Sequence, residues 1–214
     1  AQPPAPIVTV SVVDRWTERL ENAADALGLP LTVVAASHIP ISTALARPER
    51  TGPDRLLAAW AASHIHGTPV IVVDLGTATT VDAGDADGFF RGGAIAPGLE
   101  LAADALAEHT ARLPRIDVAL PDEVIGTDTS GAIAAGVVIG HIGTVRELAQ
   151  RMHEHIATRS ARTKVVITGG HSAAAWAQAA WRAPAGDRLP AIADALDPDL
   201  VLRGLGLLAE HMGA

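Results

Sequence analysis

The sequence predicts an α/β fold, because strand-like and helix-like segments alternate along the chain. Runs rich in β-branched residues, such as residues 70–73, alternate with segments whose apolar residues recur every three to four positions. Glycine follows several of the strand-like runs, which is typical of turns at the edge of a sheet. With 214 residues and 49% hydrophobic content, the chain can form one large domain or two small ones with a substantial core.

Two strands and two helices are expected in the first third of the chain. In order they are a strand over residues 7–13, a helix over residues 14–27, a strand over residues 31–34 and a helix over residues 54–66. Gly28 follows the first helix and Pro30 comes soon after, as is usual at a helix C-terminus. Residues 35–50 lack clear periodicity and predict a long loop, and the Pro-rich residues 1–6 predict an extended or disordered segment.

The rest of the chain repeats the alternation of strands, glycine turns and helices. The expected strands are residues 70–73, a run starting at residue 81, residues 89–91 and residues 164–168. The expected helices are residues 100–113, 130–159, 172–181 and 199–211. Residues 92–99 predict a glycine-rich loop and residues 183–198 a second loop. A soft domain boundary is expected near residue 67, where a helix gives way to the central hairpin.

Charge and composition exclude several classes of function. The formal net charge of −8 and the lack of a Lys/Arg cluster argue against nucleic acid or an anionic membrane as the main partner. The chain has no cysteine, which excludes disulfides and thiolate chemistry. No uninterrupted apolar run approaches the ~18 residues of a membrane-spanning helix. The nine histidines have no usual zinc-ligand spacing, which favours solvated side chains.

Residues 70–82 are the first candidate for a binding site. A buried-strand pattern ends at Asp74 and is followed by Gly76 and three threonines. Because glycine has no Cβ, such a turn can bring backbone N–H groups close to a phosphate, while the carboxylate of Asp74 either holds a cation or organises the turn. The pattern fits an ordinary hairpin corner equally well, and this stretch alone does not separate the two interpretations.

Two further glycine-bearing turns and one acid extend this candidate. Turns at residues 92–98 and 168–170 also follow strand-like runs, and three such turns near an acid favour a nucleotide site. Asp54 lies at a predicted helix start beside Arg55, so it can accept a proton from a substrate hydroxyl while Arg55 holds an anion. Taken alone, a helix-capping acid beside a surface arginine is the simpler interpretation.

Seven short motifs occur in a fixed order along the chain. They are Gly52-Pro53-Asp54-Arg55, Asp74-Leu75-Gly76-Thr77-Ala78-Thr79-Thr80, Gly92-Gly93-Ala94-Ile95-Ala96-Pro97-Gly98, Leu113-Pro114, Ile125-Gly126-Thr127-Asp128-Thr129, Thr168-Gly169-Gly170 and Asp197-Pro198-Asp199-Leu200. Each motif alone is unspecific, but all seven in this order are highly specific. The set resembles the type III pantothenate kinase family, and the resemblance covers nearly the whole chain.

The resemblance implies both a fold and an activity. The fold is an actin-like, ribonuclease-H-like α/β architecture of two related domains. Residues 1–67 are then the remainder of an incomplete N-terminal domain with the pantothenate-binding segment, and residues 68–214 are the C-terminal domain. The activity is ATP-dependent phosphorylation of pantothenate to 4′-phosphopantothenate, the first step of coenzyme A biosynthesis. The resemblance further implies a cytoplasmic homodimer that uses Mg²⁺ and a monovalent cation, K⁺ or NH₄⁺.

The resemblance also assigns roles to single residues. Asp54 corresponds to the general base that takes the proton from the pantothenate hydroxyl, and Asp74 to the ligand of the potassium ion. The implied pantothenate-binding residues are Gly52, Pro53, Arg55 and Thr129. The implied ATP-binding residues are Gly76, Thr77, Thr79, Thr168, Gly169 and Gly170. Such a set suits phosphoryl transfer, which needs positioning and charge neutralisation more than covalent chemistry.

Two departures from the family pattern leave alternatives open. Nothing matches the Asp-x-Gly-Asn-Thr turn with which family members begin, so half of the phosphate cradle is expected to be missing and the chain alone to be weak or inactive. The position of a common substrate-contacting tyrosine holds Leu45. The alternatives are a non-catalytic, kinase-like partner or regulatory protein, and a kinase for a different hydroxylated acceptor.

Overall fold

The computed structural model describes residues 6–157, 162–182 and 192–213. Three expectations lie wholly or partly outside the described residues. They are residues 1–5 of the extended or disordered segment expected over residues 1–6, the helix end expected at residue 159, and residues 183–191 of the loop expected over residues 183–198. The strands are β1 (Ile7–Thr9), β2 (Leu31–Val33), β3 (Val70–Leu75), β4 (Ala78–Gly84), β5 (Phe90–Pro97), β6 (Lys164–Thr168) and β7 (Ala195–Leu196). The helices are α1 (Asp14–Leu27), α2 (Pro53–His66), α3 (Leu99–His109), α4 (Thr129–Ala134), α5 (Gly140–Ile156), α6 (Ala175–Arg182) and α7 (Leu200–Met212).

The described strands form two sheets. Strands β1 and β2 pair in parallel, and the other five form a sheet in the order β5-β4-β3-β6-β7. Strand β3 pairs antiparallel with β4 and parallel with β6, so it lies at the centre. Asp74 near the end of β3 lies opposite Thr80 on β4 and opposite Thr168 on β6. Three polar side chains therefore meet at one end of the central strand.

The α/β prediction is confirmed, and elements with strong local signals have the expected bounds. Helix α1 covers Asp14–Leu27 as its apolar spacing predicts, and Gly28 ends it in the left-handed conformation with φ of 63°. Strand β6 covers Lys164–Thr168 as its β-branched run predicts. Strand β1 is shorter than expected, and helix α3 ends at His109 rather than at residue 113.

The glycine-rich loop expected over residues 92–99 is wrong, because strand β5 continues as far as Pro97. Gly93 lies opposite Asp82, and a Cβ on Gly93 would stand 2.1 Å from the Val81 carbonyl oxygen and 2.3 Å from Asp82 Oδ1. Glycine is therefore a packing requirement of the sheet here, rather than the mark of a loop. The expected loop near residue 195 likewise contains β7, whose two residues carry no periodic signal.

Helices cover both faces of the five-stranded sheet, which explains the continuous apolar run of β3. On one face, here called the α2 face, Val70 and Val72 pack in a cluster with residues of α2 and α7. On the other, here called the α5 face, Ile71 and Val73 pack in a cluster with residues of α5 and α6. Successive residues of each strand point to opposite faces, so the parity of a residue on β3 or β4 decides which helices it meets.

Helices α4 and α5 are joined by a π turn, Ala135–Ile139, into one continuous helix, Thr129–Ile156. By length and composition alone this helix could cross a membrane, although no uninterrupted apolar run marks it in the sequence. Val145 and Ala149 of this helix are buried against the sheet on the α5 face. Core packing therefore accounts for its apolar residues, and length with composition is weak support for a membrane span.

Candidate active site

The turn between β3 and β4 is held in place by the start of helix α3. Gly76 and Thr77 form the turn, and the Gly76 N–H donates to the Ala78 carbonyl at 3.3 Å. The Gly98 N–H donates to the Thr77 carbonyl at 2.9 Å, and a Cβ on Gly98 would stand 2.2 Å from the Gly76 carbonyl oxygen. Because the residue before α3 packs directly on it, the turn has a defined backbone with Thr77 exposed to solvent.

Asp74 lies beneath the turn that follows β6. Gly169 in that turn has φ of +89°, and a Cβ there would stand 2.4 Å from Asp74 Oδ1, so only glycine fits. Desolvation, together with the charges of Asp54 and Asp82, raises the pKa of Asp74 to about 6. A cation bound beside this carboxylate would favour its ionised form. Asp74 is therefore suited to hold a cation at neutral pH.

Asp54 lies in the first turn of helix α2, close to Asp74. Its Oδ1 accepts a hydrogen bond from the Arg55 backbone N–H at 2.9 Å. A Cβ on Gly52 would stand 2.3 Å from that oxygen, so glycine leaves the room that this orientation of the carboxylate needs. The charge of Asp54 contributes to the raised pKa of Asp74. The candidate base and the candidate cation ligand therefore belong to one site.

Arg55 is not an isolated surface arginine, because its side chain pairs with a buried acid on strand β4. Its Nε donates to Asp82 Oδ2 at 3.1 Å and its Nη2 to Asp82 Oδ1 at 2.5 Å. Burial raises the pKa of Asp82, while the bonds from Arg55 act in the opposite direction. Sequence reasoning did not single out Asp82. Alternation along β4 was the available signal, because it places Asp82 on the same face as Thr80.

Two of the predicted site residues lie on the α5 face instead. The hydroxyl of Thr79 is buried and lies 3.1 Å from Nε2 of His141, whose pKa is lowered by burial and by His171. Thr129 and His141 line a largely apolar cavity of about 690 Å³ with residues of β5, α3 and α5. The structure thus separates the side chains of Thr79 and Thr129 from those of Asp54 and Asp74.

The β3–β4 turn and the turn at residues 168–170 border one cavity of about 410 Å³. Gly76 and Thr77 line it from one side, and Gly170 and His171 from the other. His171 Nδ1 lies 3.3 Å from the Leu75 carbonyl oxygen, and its Nε2 contacts the carboxylate of Glu100 on helix α3. The two predicted ATP-binding turns are therefore neighbours, as a nucleotide site requires.

A family model described as type III pantothenate kinase aligns with residues 2–151, more than half of the chain, and this range includes Asp54, Asp74 and the β3–β4 turn. The chain belongs to the type III pantothenate kinase family. The family inferred from the seven ordered motifs is thereby confirmed.

Relatives in the type III pantothenate kinase family match most of the chain. A type III pantothenate kinase from Desulfosudis oleivorans is 38% identical over 180 residues, which is 84% of this chain and 65% of that protein. One from Rubrobacter xylanophilus is 38% identical over 208 residues, which is 95% of this chain and 75% of that protein. The aligned part of this chain thus spans only 65% of the first of these kinases and 75% of the second.

A crystal structure from Campylobacter jejuni is similar to this family member in fold. It is described as a Baf family transcriptional activator, and it superposes with a TM-score of 0.62 at 20% sequence identity. The superposition covers 99% of this chain and 85% of the other. At this identity the similarity concerns the fold alone.

Proposed function

We propose that the chain phosphorylates pantothenate with ATP and yields 4′-phosphopantothenate, the first step of coenzyme A biosynthesis. The observation that carries this proposal is the arrangement on the α2 face. Asp54, Arg55 and Asp74 lie together at the end of the central strand, beside the β3–β4 turn. A candidate base, a guanidinium and a candidate cation ligand at a glycine turn are the parts that phosphoryl transfer to a hydroxyl needs.

Asp54 is the proposed general base. As the hydroxyl oxygen of pantothenate attacks the γ-phosphorus of ATP, the carboxylate of Asp54 takes the hydroxyl proton and ADP leaves with the bridging oxygen. Arg55 keeps N–H donors beyond the two that bond Asp82, and these hold the pantothenate carboxylate. Gly52 and Pro53 complete the substrate segment, since Gly52 is the residue that leaves room for the carboxylate of Asp54.

The two glycine turns are the proposed ATP-binding elements. Gly76 and Thr77, which line the 410 Å³ cavity, face the phosphates of ATP. The turn Thr168-Gly169-Gly170 faces the adenosine through Gly170, which lines the same cavity. Thr79 acts through its backbone in this proposal, since its hydroxyl is engaged with His141. Thr129 contacts pantothenate only if the substrate reaches the α5 face, where its side chain lies.

Cations complete the proposed site. The partly buried carboxylate of Asp74 fits a monovalent cation, K⁺ or NH₄⁺, because a positive charge there offsets the repulsion among Asp54, Asp74 and Asp82. Mg²⁺ would be held mainly through the ATP phosphates, as is usual for this hard cation. When bound, the cations supply neutralisation of phosphate charge.

The remaining features of the proposal concern architecture and assembly. Helices on both faces of the mixed five-stranded sheet support an actin-like, ribonuclease-H-like arrangement, with residues 1–67 in one domain and residues 68–214 in the other. The apolar cavity along the glycine-bearing side of helix Thr129–Ile156 supports a homodimer in which a second copy covers it. We further propose that the enzyme is cytoplasmic, in keeping with coenzyme A biosynthesis.

Turnover by the full-length protein tests this proposal. ADP release is measured with ATP and Mg²⁺, with and without pantothenate, and with K⁺ or Na⁺ as the monovalent cation. Release is expected to require pantothenate and to be faster in K⁺. A protein that binds a protein partner but neither ATP nor pantothenate in calorimetry would instead be a non-catalytic relative. ADP release that requires a different hydroxylated acceptor would redirect the proposal to that acceptor.

A further inference from the structure

We infer that Asp82 is a positioning residue that keeps the guanidinium of Arg55 away from the general base. It does so by offering Arg55 a second carboxylate, so that Asp54 stays available to the hydroxyl of the substrate. This inference rests on the proposed function, because it concerns how the same site is kept reactive. It is carried by the contacts of Asp82, Arg55 and Asp54.

Asp82 is buried in the sheet and is held there by its neighbours. Asp82 is 2% exposed, and both of its carboxylate oxygens accept hydrogen bonds from Arg55. Gly93 on the neighbouring strand leaves the space that the carboxylate fills, because a Cβ would stand 2.3 Å from Asp82 Oδ1. A buried carboxylate in such a place needs a cationic partner, and within the described part of the chain Arg55 supplies it.

Arg55 lies between two carboxylates, those of Asp82 and Asp54. Its pKa is raised first by the hydrogen bond with Asp82 and also by the charges of Asp82 and Asp54. The guanidinium lies 5.9 Å from the centre of the buried Phe90 ring, which borders it on a further side. The planar, bidentate pair with Asp82 therefore fixes which of the two carboxylates Arg55 engages.

The pair between Arg55 and Asp82 leaves the side chain of Asp54 free to act as the base. If Arg55 paired with Asp54, the guanidinium would occupy the carboxylate oxygens that must receive the proton of the substrate hydroxyl. Two further charged groups surround Arg55 and Asp54. Asp82 acts on Arg55, and Asp74 interacts with Asp54. Neutralising Asp82 leaves Asp54 as the acid next to Arg55 in sequence, so the guanidinium is expected to turn towards it.

The test uses Asp82→Asn, Arg55→Gln and the double variant in the full-length protein, with kcat, both KM values and the pH profile of kcat/KM for pantothenate. For Asp82→Asn we expect kcat to fall about 10- to 100-fold, KM for ATP to change less than about threefold, and the acidic limb of the profile to move to lower pH. The double variant is expected to recover kcat to within about threefold of Arg55→Gln, because Asp54 is again unpaired.

Asp197→Asn is the matched control. Asp197 is also a buried aspartate paired with an arginine, Arg203, but at the corner between β7 and α7. It is expected to lose stability while kcat and the acidic limb of the folded protein stay unchanged. A merely structural role of Asp82 would make both variants behave alike.

The outcomes separate this inference from the proposed function. No pantothenate-dependent turnover by the unmodified protein would refute the proposed function, whatever the variants do. Turnover that survives Asp82→Asn with an unmoved pH profile would overturn the inference alone. If Asp82→Asn does not fold, the comparison moves to Arg55→Gln, which removes one charge of the pair, and the double variant, which removes both. A kcat for the double variant more than about tenfold below Arg55→Gln would then show that Asp82 acts independently of Arg55.

Discussion

Two buried aspartates of this protein each pair with an arginine, and their surroundings differ. Asp82 engages Arg55 through both oxygens across 27 residues of sequence, and the arginine side chain is 18% exposed. Asp197 engages Arg203 through one oxygen across 6 residues, at 2.5 Å, and this arginine is 50% exposed. The same oxygen of Asp197 lies 3.1 Å from Nε2 of His66 at the end of α2.

The difference shows how similar ion pairs serve different purposes. The contacts of Asp197 hold the corner between β7 and α7 against the end of helix α2, and the arginine of this pair, Arg203, is half exposed to solvent. The pair at Asp82 connects the start of helix α2 to strand β4 and lies beside two further carboxylates, Asp54 and Asp74. A surplus of acids around one arginine is not what stability alone favours. That surplus is what identifies the first pair as part of the candidate site.

The largest expected effect comes from Asp54→Asn, which changes the region around Asp82 and not the corner at Asp197. Loss of a general base is expected to lower kcat by about 10²- to 10⁴-fold. Thermal stability should not fall, because Asp54 repels Asp74 in the folded protein. Steady-state kinetics and thermal unfolding measure the two quantities. Asp14→Asn, an exposed acid in the first turn of α1, is the control and should change neither. Wild-type kcat in Asp54→Asn would remove Asp54 as the base.

Gly93→Ala and Gly204→Ala compare the two regions by steric means. A Cβ on Gly93 would meet backbone of β4 at 2.1 Å and Asp82 Oδ1 at 2.3 Å, whereas one on Gly204 would meet the Ala61 Cβ at 2.8 Å, between α7 and α2. Gly93→Ala is expected to cost about 2–4 kcal/mol of unfolding free energy and to raise KM for pantothenate, and Gly204→Ala about 1–3 kcal/mol with KM unchanged. Urea unfolding and kinetics are the measurements. Equal KM values in both variants would contradict the assignment of Asp82 to the site.

Asp74→Asn is expected to stabilise the protein in a pH-dependent way. The pKa of Asp74 is about 6 in the folded protein and about 3.9 in an unfolded chain. The stability that protonation of Asp74 contributes is therefore fully present below pH ~4 and is lost as the pH rises through 6. The asparagine variant avoids this loss, so its unfolding free energy should exceed that of wild type by on the order of 2 kcal/mol at pH 8.

The difference between Asp74→Asn and wild type should shrink as pH falls from 8 to 5 in urea unfolding at low potassium. Activation by K⁺ should also be lost in this variant. A constant difference across that pH range would show that desolvation of the carboxylate is not its cause.

The smallest expected effect is that of Asp197→Asn on stability. The variant keeps a polar side chain at the site but leaves Arg203 and His66 without a charged partner. Because Arg203 is half exposed, the cost is expected to be only about 1–2 kcal/mol of unfolding free energy. Chemical unfolding measures it, with Glu147→Gln, whose carboxylate bonds the exposed Arg151, as a control expected near zero. A cost in unfolding free energy above that of Gly93→Ala would contradict the expected order, in which the region around Asp82 shows the larger effect.

Local patterns in the sequence were enough for much of the fold. Helix α1 and strand β6 have the expected bounds, because amphipathic spacing and β-branched runs act over neighbouring residues. The expected loop over residues 92–99 failed for a different reason. Its glycines look like turn signals, yet Gly93 is needed because a neighbouring strand passes too close for a side chain. Only the contact across the sheet reveals that requirement.

The sequence by itself determined the α/β class, the family and the short segments that carry Asp54, Asp74 and the glycine turns. Those properties depend on residue order and local spacing, which the chain contains without folding. Only the tertiary structure decided that Arg55 engages Asp82 and that Thr79 faces His141 on the other side of the sheet. Which partners a side chain meets depends on strand register and helix packing, and these bring together residues 27 and 62 positions apart.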